Sequence, residues 1–187
     1  MSRIFLAVPL SDAVRGEVLK VKAANAGVPR LVWMREHNLH LTVYFIGQVP
    51  RDNVQLIFER VKPVIAAQAS FDLLFRDICL APPASENRRA KFRMIWARFH
   101  RHEDFRSLAH ALHDSIKDLL AGNPFHFEDP LPHITLARFN STFKTEQLSL
   151  PSIALKEMRI DEVELWESVP AEGGVKYVSV DKVKLSG

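Results

Sequence analysis

Two stretches of this chain place a threonine two residues after a histidine inside an apolar run. The first is His40-Leu-Thr42-Val43, within Asn38-Leu-His-Leu-Thr-Val-Tyr-Phe-Ile-Gly47. The second is His133-Ile-Thr135-Leu136, within Pro132-His-Ile-Thr-Leu-Ala-Arg138. Eight histidines and four threonines in 187 residues would give about 0.2 such matches by chance, so two in matching contexts form a pair to be read together. Imidazole and imidazolium are both accessible near neutral pH, so two histidines can serve as base and acid in one turnover. Two threonine hydroxyls and a cation beside them would suit a tetrahedral oxyanion such as a phosphodiester.

Other chemistries fit less well. Neither motif contains a carboxylate, and there is no Gly-x-Ser-x-Gly elbow. The single Cys79 lies in an apolar run with no activating neighbour in sequence. His-Glu-x-x-His and Cys-x-x-Cys are absent, so a metal-free two-histidine acid-base site without cofactor is the better fit. Arg138 is attractive as a phosphate clamp through paired guanidinium hydrogen bonds. Strand parity objects: from His133 an unbroken strand carries residues 133, 135 and 137 on one face, and Arg138 reaches that face only if the strand bulges or ends. The alternative for Arg138 is a structural ion pair.

His110 and His113 share the polar side of an expected helix with Glu103, Arg106 and Lys117 and read as solvated; His37, His100, His102 and His126 have no repeated context and no assigned role. Trp33, Tyr44, Trp96, Trp166 and Tyr177 include possible stacking platforms, but the default for strand aromatics is the core.

The elements that must position these residues follow from patterning. Residues 3–9 read as a buried strand; Ser11 and Asp12 can cap a helix bearing Val14, Val18 and Val21. Residues 31–35 are short and partly apolar, and the first motif strand is expected to end at Gly47 and Pro50. Residues 51–68 have helical period despite Pro63, which should kink or shorten the helix, and residues 71–80 read as a strand. Residues 81–91 form an irregular basic segment, either a hinge or ligand-side loop or plain solvated surface. Residues 92–99 then read as a strand, 103–120 as a helix capped by Gly122, and 125–139 as the region of the second motif strand. Residues 158–168 and 175–185 are expected as strands joined by a turn at Gly173-Gly174.

Both halves thus run strand, helix, motif strand, further strand. This gives the chain, read as one domain over 1–187, a pseudo-twofold look with halves of roughly residues 1–80 and 92–187, in which the two motif strands can lie side by side across a cleft. Such an arrangement allows strands to be exchanged between the halves. The length suffices for a core without disulfides. The lone cysteine and the short apolar start, unlike a signal or membrane segment, point to a cytoplasmic protein with no membrane partner. A net charge of +3 permits a polyanionic ligand without demanding one.

With these residues in view, the chain resembles the 2H phosphoesterase superfamily, in particular the RNA 2′,3′-cyclic phosphodiesterases also called 2′-5′ RNA ligases. The resemblance runs along nearly the whole chain. It covers Arg3-Ile-Phe-Leu-Ala7, Trp33, both motifs, the Pro- and Arg-rich segment before Trp96, and Val163-Glu-Leu-Trp-Glu-Ser168 with Gly174-Val-Lys-Tyr177. It implies a bilobal α+β fold, two pseudo-twofold-related lobes with antiparallel sheets flanked by helices around a central cleft, and metal-free hydrolysis of terminal 2′,3′-cyclic phosphates to 2′-phosphomonoesters, with RNA ends or a small cyclic-phosphate nucleotide as partner; a monomer is the expected working unit. By the same resemblance His40 would protonate the departing 3′ oxygen, His133 would accept the proton of the attacking water, and Thr42 and Thr135 would hold the phosphate. Tyr44, where a lysine is common, and Leu131, where a polar or basic residue often stands, depart from the family pattern. The rival readings are a 2′-5′ oligonucleotide or ADP-ribose cyclic phosphate as substrate, and an RNA-end-binding module without turnover.

Overall fold

The computed structural model describes residues 1–82, 93–120, 130–140 and 142–187. Gly122, His126 and nearly all of the basic segment 81–91 lie outside the described residues. The first strand, β1 (Ser2–Pro9), is followed by α1 (Asp12–Ala24), whose N-cap Ser11 accepts a hydrogen bond from the Val14 amide and whose Val14, Val18 and Val21 are buried. After the short β2 (Val32–Trp33) and a 3₁₀ turn at Glu36–Asn38, β3 (His40–Val49) carries the first motif and runs past Gly47. Then come α2 (Asn53–Ala67), β4 (Phe71–Ala81), β5 (Met94–Phe99) and α3 (Glu103–Ile116), the last followed by a 3₁₀ turn at Lys117–Leu120. The second motif opens β6 (His133–Arg138), and β7 (Glu157–Ile160), β8 (Glu162–Ala171) and β9 (Gly174–Lys184) end the chain.

The helix α2 continues through Pro63. Proline removes the hydrogen bond to Glu59, and both residues are exposed on the solvent side of the helix, where the loss leaves no buried polar group without a partner. The strand expected at 158–168 is two strands: Asp161 marks a corner where β7 stays with β4 while β8 crosses to β1.

Nine strands form a curled antiparallel sheet in the order β7-β4-β5-β6-β3-β1-β8-β9, with β2 added on β6. It divides into two four-stranded halves, β7-β4-β5-β6 and β3-β1-β8-β9, joined by β3 and β6 through the register pair Leu41–Ile134. One face of the sheet is the core: Ile4, Leu6, Leu41, Ile46, Leu73 and Ile95 are buried there, together with Phe58 of α2 and Phe105, Leu108 and Leu112 of α3. Period-2 alternation leaves the other face for the histidines. Among the described residues no helix is long and apolar enough to cross a membrane.

Candidate active site

The two motifs meet where the sheet halves join. With Leu41 opposite Ile134, antiparallel pairing sets His40 across from Thr135 and Thr42 across from His133. A local twofold axis through that pair therefore relates the two His-Thr sets, and directly opposed side chains in such a ladder have Cβ atoms ~4.5–5.5 Å apart. The apolar pair goes into the core, and the four polar side chains share the opposite face.

Each motif strand then bulges at the same place. In β3 the register steps from Ala7–Thr42 to Leu6–Tyr44, so Val43 is the extra residue. In β6 it steps from Trp96–Thr135 to Ile95–Ala137, so Leu136 is the extra residue. Each is three positions after its histidine. A bulge resets alternation: Val43 with Tyr44, and Leu136 with Ala137, are consecutive buried pairs, and the fifth residue after each histidine returns to the polar face. These residues are Phe45 and Arg138. Phe45 packs on the Phe5, Ala7 and Trp166 cluster. Arg138 is exposed, and its charge depresses the pKa of both His40 and His133. The parity objection to Arg138 is thus removed by the bulge.

Ring orientations follow from hydrogen bonds. His40 Nδ1 lies 2.7 Å from the Asn38 carbonyl, and His133 Nδ1 lies 2.7 Å from the Leu131 carbonyl. A carbonyl only accepts, so each Nδ1 carries the proton and each neutral ring holds its lone pair at Nε2. His40 Nε2 accepts from the Thr42 hydroxyl at 3.0 Å. Both histidines are pulled down to about 4, chiefly by burial, with the Arg138 charge adding to the drop at each and His40 contributing at His133. Two adjacent half-buried imidazoles beside a positive charge resist protonation until an anion joins them.

Aromatic walls enclose the rings. His133 stacks on Trp96 with centroids 3.6 Å apart and planes 16° from parallel. His40 is bounded by Phe5 at 5.0 Å, Trp166 at 5.1 Å and Tyr177 at 5.2 Å, the last edge-on at 86°. Trp166 is anchored by its Nε1–H donating to Glu164 Oε2 at 2.6 Å. So Trp96, Trp166 and Tyr177 line the site, against the default core reading. The visible signal was parity: Phe5 alternates with the core residues Ile4 and Leu6 and so belongs to the histidine face.

Arg98 and Tyr44, both on the motif strands or their neighbours, are held in structural contacts. Arg98, opposite His133, is held by Asp77 through Nε at 3.0 Å and Nη2 at 2.7 Å, which keeps the Asp77 carboxyl below its usual range. Tyr44 points into the core, where its hydroxyl bonds His113 Nδ1 at 2.8 Å and burial pushes its pKa up to about 12. His113 is therefore a partner of a buried phenol, correcting its solvated reading. Among the described residues no three His, Cys, Asp or Glu side chains gather in a way that could hold a metal ion.

A family model described as LigT like Phosphoesterase matches residues 8–92. The chain is 26% identical over 192 residues to an RNA 2′,3′-cyclic phosphodiesterase of Methanothermobacter thermautotrophicus, covering 98% of each chain. It is 25% identical to one of Geobacillus stearothermophilus, covering 91% of this chain but spanning only 56% of that protein's length. The fold matches the crystal structure of TT0787 of Thermus thermophilus with a TM-score of 0.81, at 22% identity over 97% of both chains. Over residues 8–92 the chain is similar to the LigT-like phosphoesterases, and its fold is that of the solved structure.

Proposed function

We propose that this protein opens terminal 2′,3′-cyclic phosphates on RNA ends to 2′-phosphomonoesters with two histidines and no metal. The carrying observation is the pairing of two imidazoles, each with Nδ1 locked on a backbone carbonyl, so that two Nε2 atoms are left for proton transfer on one face. The names of the curated relatives support the substrate class.

In this reading Thr42 and Thr135 donate to the phosphoryl oxygens and Arg138 balances their charge. Water attacks phosphorus, and His133 Nε2 takes its proton. The bond from phosphorus to the 3′ oxygen breaks while His40 Nε2–H supplies a proton to that oxygen. The product is a 2′-phosphate with a free 3′ hydroxyl, and the histidines end with exchanged protonation that solvent resets. Microscopic reversibility lets the same groups join ends through a 2′-5′ linkage. His40 must enter charged, against a free-state pKa of about 4. The bound phosphate makes this possible, since an opposite charge within ~4–6 Å moves a pKa by ~1–3 toward the charged form. A monomer in a reducing cytoplasm completes the reading.

Incubation with a 2′,3′-cyclic-phosphate oligonucleotide in EDTA tests it. The expected product carries a 2′-phosphate; unchanged substrate or a 3′-phosphate would overturn the proposal.

A further inference from the structure

We propose that Asn38 is a positioning residue that ties the orientation and environment of His40 to the last hairpin of the sheet. The inference rests on the acid-base reading of His40 for its catalytic consequence, but not for its structural one. Asn38 is buried to 4% exposure, at the end of the 3₁₀ turn just before β3. Its backbone carbonyl is the acceptor for His40 Nδ1–H. Its side-chain amide makes two bonds to β9: Nδ2–H donates to the Val175 carbonyl at 2.8 Å, and Oδ1 accepts from the Tyr177 amide at 2.9 Å. On its other edge β9 is paired with β8, including Val175–Pro170 and Tyr177–Ser168, so the Asn38 amide acts as a one-residue substitute for a further strand.

Tyr177, held in this way, sets its ring edge-on against His40 at 5.2 Å and against Phe5 at 5.0 Å. One residue therefore fixes His40 twice, by its carbonyl at Nδ1 and by its side chain through the Tyr177 wall. The contact spans 137 positions to Val175 and 139 to Tyr177, so nothing local in the chain would maintain it. A second clamp lies on the same hairpin. Arg35 Nη2 donates to the Glu172 carbonyl at 2.6 Å, and a Cβ on Gly173, whose φ is +72°, would lie 2.7 Å from that nitrogen.

The geometry requires both a donor and an acceptor on a short planar side chain. Aspartate keeps the acceptor for the Tyr177 amide but turns an oxygen toward the Val175 carbonyl; alanine removes both bonds. His133, held by Leu131, has no part in this clamp.

The test compares wild type, Asn38→Asp and Asn38→Ala by imidazole ¹⁵N NMR of the free proteins, thermal unfolding, and kinetics on a cyclic-phosphate oligonucleotide. In the variants the His40 ring nitrogens are expected to shift, with loss of the uniform Nδ1–H tautomer, while those of His133 stay in place. The kcat should fall ~10- to 100-fold with KM nearly unchanged, the cost of misplacing a reacting group. If His40 resonances and kcat match wild type while only the unfolding temperature drops, Asn38 is merely structural and the proposal fails. If wild type lacks cyclic-phosphate activity, the functional reading fails, and the NMR comparison still decides whether Asn38 orients His40.

Discussion

Replacing Arg138 by glutamine isolates the electrostatics of the site. Burial is the leading cause that lowers both histidines, and the Arg138 charge adds to it at each. At about 4, each free histidine is charged in only about one molecule in a thousand at pH 7. Catalysis needs one charged and one neutral ring, so kcat/KM for the free enzyme should peak on the acid side of neutrality and fall about tenfold per pH unit above its upper limb. Removing the guanidinium takes away a positive neighbour, so both midpoints rise; burial remains, so both stay below 6.5. The same change removes the cation proposed to face the phosphate, so the rate falls while the pH optimum moves up. Proton NMR titration of the imidazoles, with pH profiles of kcat/KM for wild type and Arg138→Gln, reads both effects. Wild-type midpoints near 6.5, or midpoints unmoved by the substitution, would refute the reasoning.

Other outcomes follow from the same geometry. Both histidines have folded pKa values below the unfolded value of about 6.5, so their contribution to stability is full above 6.5 and is lost as pH falls through about 4, at up to ~1.4 kcal/mol per pH unit for each. Urea unfolding at pH 7 and pH 5 should show the loss, and equal stability would argue against buried neutral rings. Tyr44→Phe removes the bond to His113 and should cost ~0.5–1.5 kcal/mol in unfolding free energy while leaving turnover unchanged, because the bulge turns Tyr44 away from the site. A large loss of kcat in a well-folded Tyr44→Phe protein would contradict that placement.

The strands and helices were legible because valines, leucines and isoleucines fall at periods of 2 or 3.6, and the two motifs because their histidines and threonines share a strand face. The rest depends on pairing across the sheet. Nothing in Thr42-Val-Tyr-Phe45 or Thr135-Leu-Ala-Arg138 announces a bulge; it appears only when β3 is registered on β1 and β6 on β5. That single offset removes Tyr44 from the site and admits Arg138. The division into sheet halves was hidden for the same reason, since β4 pairs with β5 and β7 while β8 returns to β1. The aromatic walls escaped a default that sends strand aromatics to the core, because the burial of Trp96 and Trp166 includes ring contacts with His133 and His40 that only the folded sheet brings about.

The most direct measurement is single-turnover opening of a 2′,3′-cyclic-phosphate oligonucleotide in EDTA by wild type, His40→Ala, His133→Ala and the double variant, with products assigned by ³¹P NMR. Each single variant should lose ~10²-fold or more, the double variant little beyond the worse single one, and every product should be the 2′-phosphate. A single variant that keeps the full wild-type rate, or a 3′-phosphate product, would contradict the two-histidine mechanism.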